Sequence, residues 1–126
     1  MKKLKIKGTP KTPDFFLNPN GELKIEGVSV PENSMGFYEP IIDWISEYVK
    51  SPANETVLSF KLEYINTSSL QFVYDILSLL AEIKKTSNSI RVDWYYMDDD
   101  IDMKETGDDY DETIDIPFNF IEVPED

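Results

Sequence analysis

The chain has 126 residues, 40% of them hydrophobic and 13% aromatic, with no cysteine and no histidine. That length suits one domain with a core of its own, and the missing residue types exclude disulfides, thiolate nucleophiles and the commonest general base and metal ligand. Twenty-five acidic residues against 12 basic give a formal net charge of −13, which repels phosphate backbones and anionic membrane surfaces and argues against nucleic-acid or direct membrane binding.

The opening lysines, Lys2, Lys3, Lys5 and Lys7, alternate with Leu4 and Ile6, which predicts a short strand better than a targeting segment. No apolar run approaches the ~20 residues that a membrane helix needs, so the expected location is the cytoplasm. Gly8, Pro10 and Pro13 enforce a turn. Phe15 to Leu17 and Leu23 to Val28 then flank Asn18-Pro19-Asn20-Gly21, the signature of a β-hairpin with Asn-Gly at its bend. Pro31-Glu32-Asn33-Ser34 carries helix-start chemistry, and Phe37, Ile41, Trp44, Ile45, Tyr48 and Val49 recur at helical spacing. That stripe makes Trp44 a core residue, while Pro40 belongs in a first turn and obscures where the helix begins.

Leu58, Phe60, Leu62 and Tyr64 alternate with Ser59, Lys61 and Glu63, a strand period. Leu70, Val73, Ile76, Leu77, Leu80 and Ile83 form the apolar stripe of a second helix. Ile90, Val92, Trp94 and Tyr96 predict another strand, an acidic helix or loop covers about 98–112, and Ile116, Phe118 and Phe120 close the chain as a strand. Strand and helix alternation after a hairpin implies an α/β domain over residues 1–126 with a mixed sheet. Polar residues on every second strand position mean that one sheet face is wet. The three helices are therefore expected mostly on the other.

No residue set suggests catalysis. There is no Gly-x-Ser-x-Gly elbow and no phosphate-binding glycine loop, and paired carboxylates in so acidic a chain read as solvated surface. Asp98, Asp100 and Asp102 occupy alternate positions, but an EF-hand would then need Gly and Glu where Met103 and Asp109 stand. The acidic stretch reads as a solvated helix ended by Gly107, as a docking patch, or as a weak divalent-ion site. No cofactor or metal is called for. The segment Tyr64-Ile65-Asn66-Thr67-Ser68-Ser69 hands a strand over to a helix. Ser68 with Gln71 fits a capping box, which leaves Thr67 just outside the helix with a free hydroxyl. These hydroxyls are caps, or they are phosphate acceptors beside the partial positive charge of a helix N-terminus.

Several short motifs occur in order along the chain: Gly8-Thr9 with Thr12-Pro13, Pro31-Glu32-Asn33-Ser34, Ile42-Asp43-Trp44, Tyr64-Ile65-Asn66-Thr67-Ser68-Ser69, Trp94-Tyr95-Tyr96 and Pro117-Phe118. In this pattern the chain resembles the SiaC-type regulatory phosphoproteins, bacterial relatives of the STAS-domain anti-sigma-factor antagonists. The resemblance implies a STAS-like regulatory domain that is not an enzyme, phosphorylated at the position of Thr67 with Asn66, Ser68 and Ser69 around it. It implies a serine/threonine protein kinase and a PP2C-type phosphatase acting on that threonine. It further implies that the unmodified form binds and activates a diguanylate cyclase, raising cyclic di-GMP and favouring aggregation or biofilm growth. An anti-sigma-factor antagonist releasing a transcription factor, and an acidic divalent-ion binder using 98–112, are the other two readings.

Overall fold

The period-two alternation around Phe60 decides which face of the central strand is buried. In the computed structural model, which describes residues 1–124, the strands are β1 (Leu4–Ile6), β2 (Asp14–Leu17), β3 (Glu22–Ser29), β4 (Glu55–Ile65), β5 (Ser89–Met97) and β6 (Phe118–Val123). The helices are α1 (Ser34–Tyr48), α2 (Thr67–Ala81, continued by a 3-10 turn over Glu82–Lys85) and α3 (Ile101–Thr113). One sheet contains all six strands in the order β1-β2-β3-β4-β5-β6. The first two pairings are antiparallel and the last three parallel.

Asn18 and Asn20 shape the β2–β3 bend by accepting N–H bonds from Asn20 and Glu22, each at 3.0 Å. Gly21 is required there twice over. Its φ is +104°, and a Cβ would stand 2.0 Å from the Glu55 carbonyl oxygen, where β4 begins. Gly27, with φ +122°, marks the register shift between β3 and β4.

Leu58, Phe60 and Leu62 of β4, Ile90, Val92 and Trp94 of β5, and Phe15, Leu17, Leu23 and Ile25 of the hairpin are all buried on one face. The expectation of helices on one face is met, since the three helices cover this face. Lys24, Ser59, Lys61, Arg91 and Tyr95 line the opposite, uncovered one. α1 buries Tyr38, Ile41, Ile45 and Tyr48. Ile41, Ile45 and Tyr48 of the predicted stripe are in the core and Tyr38 joins them, while Phe37, Trp44 and Val49 pack against it partly exposed. Trp44 stacks on Tyr48 at 5.2 Å and donates its indole N–H to the Lys2 carbonyl at 2.8 Å, so it fastens the N-terminal strand and does not fill the centre. Pro40 lies inside α1, beyond its first turn. It is exposed, as is Gly36, so the carbonyl its missing N–H leaves unpaired faces water.

Trp94 fixes the acidic helix. It stacks on Phe60 at 4.3 Å and gives its indole N–H to the Met103 carbonyl of α3 at 3.1 Å. Gly107 makes that approach feasible and does not end the helix as its type suggested: a Cβ there would lie 2.6 Å from Trp94 Nε1 and 2.7 Å from the Phe120 ring. Gly107→Ala therefore forces the helix off the sheet. Overpacking of this kind costs about 1–3 kcal/mol, more than the ~1 kcal/mol that Ala gains in helix propensity. A lowered urea midpoint at unchanged m-value is the expected result.

Tyr110 of α3 is buried and donates its hydroxyl to the Leu70 carbonyl at 2.7 Å. Burial first, then the nearby Tyr38 and Asp109, hold its pKa well above the ordinary 10.0. An unfolded Tyr110 releases its proton near pH 10 while the folded one keeps it. Its contribution is therefore complete below that pH and is lost as pH rises further. Stability measured by denaturant titration should fall above pH ~10, and less steeply in Tyr110→Phe.

Candidate functional site

Three parallel strands in a row, each followed by a helix, bring the N-termini of α1, α2 and α3 to one end of the sheet. At that end β3 finishes with Ser29 and β4 with Ile65, and the Asn66 N–H extends their pairing to the Ser29 carbonyl at 2.8 Å.

Asn66 is the cap of α2. Its side-chain oxygen accepts the Ser69 N–H at 3.0 Å and also the Ser69 hydroxyl. The expected box of Ser68 with Gln71 does not form, because Asn66 takes the cap position and Gln71 turns outward to Asp75 at 2.9 Å. Thr67 is consequently the first residue of α2 and not a residue before it.

The hydroxyl protons in this corner run one way. Ser69 gives its proton to Asn66, Ser29 gives its own to Ser69 at 2.9 Å, and the Tyr38 hydroxyl therefore donates to Ser29 at 2.6 Å. Ser29 and Ser69 are completely buried, as is Tyr38. Burial raises the Tyr38 pKa, partly opposed by its bonds with the two serines. A chain of three hydroxyls ending on an amide oxygen thus ties β3, α1 and α2 together. A second link runs outside it. Ser68 bonds to Asn66 at 3.3 Å and is paired with Ser34, the first residue of α1, at 2.6 Å. Asn33 caps α1 by accepting the Gly36 N–H at 3.1 Å.

Of the four positions singled out by sequence, Asn66 and Ser69 are structural, Ser68 bridges two helix starts, and Thr67 is exposed. Among the described residues Thr67 makes no side-chain hydrogen bond. Ser29, Ser34 and Tyr38 went unrecognised as members of this corner. Their partners lie up to 40 residues away in the chain, and no local pattern signals such a contact. The loop from Gly8 to Pro13 comes to the same end, closed by Thr9 on Thr12 at 2.7 Å and tied on by the Val30 N–H to the Lys11 carbonyl at 2.7 Å. Trp94 and Trp44 do not join it; they serve the core and the N-terminal strand.

The acidic segment is helix α3, capped by Asp100, which accepts the Met103 N–H at 3.0 Å. Asp108 holds Lys104 at 2.6 Å, and the Lys104 ammonium sits 4.2 Å over the Phe120 ring. Among the described residues no three carboxylates converge as the ligands of a cation would, so the divalent-ion reading lacks a ligand set.

Residues 6–123 match the model of the SiaC family regulatory phosphoproteins. The chain belongs to the SiaC family. An uncharacterised curated relative from Pseudomonas aeruginosa (strain UCBPP-PA14) is 34% identical over 97 residues, 76% of this chain and 77% of that protein. SiaC of Pseudomonas aeruginosa superposes with a TM-score of 0.88 at 30% identity, over 98% of this chain and 100% of that one. A similar match, TM-score 0.85 at 29% identity over 95% and 99% of the two chains, is to SiaC as the activator in a crystal structure with the diguanylate cyclase SiaD.

The SiaC fold of this chain rests on Asn66 at the corner where α2 begins. Asn66→Ala removes a cap and leaves the Ser69 hydroxyl without its acceptor. The two losses together should cost about 2–3 kcal/mol, whereas exposed Thr67→Ala should stay within about 0.5 kcal/mol of the parent. Thermal unfolding of the two variants side by side checks the contrast.

Proposed function

We propose that this chain is a phosphorylation-controlled partner switch acting in the cytoplasm, with Thr67 as the switched residue. The unmodified form binds and activates an output protein, a diguanylate cyclase. A serine/threonine protein kinase phosphorylates Thr67 and ends the interaction, and a PP2C-type phosphatase restores it. Membership of a family of regulatory phosphoproteins supports the class of function. The relative bound to a diguanylate cyclase as its activator supports the output.

The observation that carries the choice of residue is the contrast among adjacent hydroxyls. Ser69 is buried in the hydroxyl chain and Ser68, though exposed, is bonded to Ser34 and Asn66, while Thr67 is exposed in the first turn of a helix with no side-chain hydrogen bond among the described residues. A phosphate there carries about −1.5 to −2 charges. The first-turn N–H groups of α2 offset part of that charge within the protein. A partner lying over Thr67 must instead desolvate it. That costs several kcal/mol per ion, and each ~1.4 kcal/mol is tenfold in affinity. A micromolar complex is lost on that scale without any rearrangement of the fold.

Titration of the unmodified, kinase-treated and Thr67→Asp proteins against the cognate diguanylate cyclase, with cyclic di-GMP synthesis as readout, tests the proposal. The unmodified protein and Thr67→Ala should bind and stimulate alike, and Thr67→Ala should resist the kinase. Phosphorylation should weaken binding by about a hundredfold or more, and Asp, with one charge, by less. Tighter binding of the phosphorylated form, or phosphate recovered on Ser68, would overturn it.

A further inference from the structure

Thr67, Leu70, Gln71 and Tyr74 stand at i, i+3, i+4 and i+7 and so share one face of α2. On α3, Asp102, Thr106 and Asp109 likewise share a face, beside the Met103, Gly107 and Tyr110 face that packs inward. Between the two rows lies a cavity of about 280 Å³ lined by Leu70, Gln71, Tyr74, Thr106, Asp109 and Tyr110. A second, of about 250 Å³, lies between the end of β4 and the start of α3, where Tyr64, Asp102, Met103 and Thr106 line it. Thr106 lines both, so the two adjoin at its side chain along the α2–α3 surface.

The floor and the rim of this groove differ in character. The floor is apolar, with Leu70, Met103 and the ring of Tyr110, whose hydroxyl is spent on the Leu70 carbonyl. Tyr64 and Tyr74 stand at its two ends, 58% and 37% exposed. The rim carries Glu63, Asp100, Asp102 and Asp109, and no lysine or arginine lines either half. The cavity on the uncovered sheet face, by contrast, has two lysines, Lys24 and Lys61, to one acid, Glu26.

We infer that the groove between α2 and α3 is a docking site for a basic amphipathic segment of a protein partner, with Thr67 at its head. Apolar side chains of that segment seat on Leu70 and between Tyr64 and Tyr74, and its lysines or arginines face the carboxylates of Glu63, Asp102 and Asp109. A helix laid between two helices meets the spacing of both rows. An occupant lying along α2 over Leu70 and Gln71 runs into Thr67 at the head of the same row, which makes the groove an extension of the surface proposed above and rests on that reading.

The test uses the unmodified full chain and three synthetic helical peptides, followed by amide chemical shifts. One peptide has a leucine face and a lysine face, the second replaces lysine by glutamate, and the third keeps lysine but replaces leucine by serine. The leucine–lysine peptide should give saturable shifts at Leu70, Gln71, Tyr74, Thr106 and Asp109, and the other two should bind at least about tenfold more weakly. Thr106→Arg, which blocks the middle of the groove and adds the opposing charge, should weaken the first peptide about tenfold or more while leaving the thermal midpoint unchanged. Equal binding by the serine–lysine peptide would mean general attraction to an acidic protein. Shifts in the groove that grow with protein concentration alone would mean a second copy fills it. Either result, absence of binding by the first peptide, or indifference to Thr106→Arg overturns the inference. No phosphate enters the experiment, so such a failure removes the groove and leaves the Thr67 reading to its own test.

Discussion

The strands of this sheet follow one another in space as they do in sequence, and its three parallel crossovers step the same way with their helices on the same face. Crossovers that share a direction and a face share a hand, the constraint that governs parallel strand connections generally. From it follow the single covered face, the single wet face, and the gathering of three helix starts at one end. The corner around Thr67 exists because strand ends and helix starts that are distant in sequence must meet there.

What holds that corner is polar and buried, in a core that is mostly hydrocarbon and aromatic, Thr56 and Asp93 being the other buried polar side chains among the described residues. Ser29 and Ser69 would each be a liability if unpaired. Strung from Tyr38 to Asn66 with every proton committed, they instead set the angle at which α2 leaves the sheet. A network of this type permits one arrangement and penalises partial ones. The result is a rigid platform beside an exposed threonine, the property that a recognition surface needs.

Much of this was legible in the sequence and the rest was not, for identifiable reasons. The alternation through Leu58, Phe60 and Leu62 and through Ile90, Val92 and Trp94 specified strands with one wet face, because a one-residue slip would expose every apolar side chain. In α1 the stripe through Ile41, Ile45 and Tyr48 holds, but the core place expected of Phe37 goes to its neighbour Tyr38, whose hydroxyl meets Ser29 and whose ring stacks on Phe72, contacts that no local pattern signals. Ser68 with Gln71 and Asn66 with the Ser69 N–H are both sound caps. The winner was decided by where β4 stops pairing with β3. Gly107 reads as a helix end when only its backbone is considered, and the indole pressing on it is supplied by a strand.

The first turns of α1 and α2 contain no acidic residue, in a chain where acids outnumber bases two to one. Asn33, Ser34, Met35 and Gly36 stand at one start and Asn66, Thr67, Ser68 and Ser69 at the other, so beyond the two asparagine caps no carboxylate of either first turn offsets the partial positive charge there. A phosphate borne by Thr67 would therefore fall where the start of α2 favours negative charge, adding to helix stability by about 0.3–1 kcal/mol. The modified chain would then be no less durable than the unmodified one. A cell could keep it in reserve and recover it by dephosphorylation, with no need for fresh synthesis.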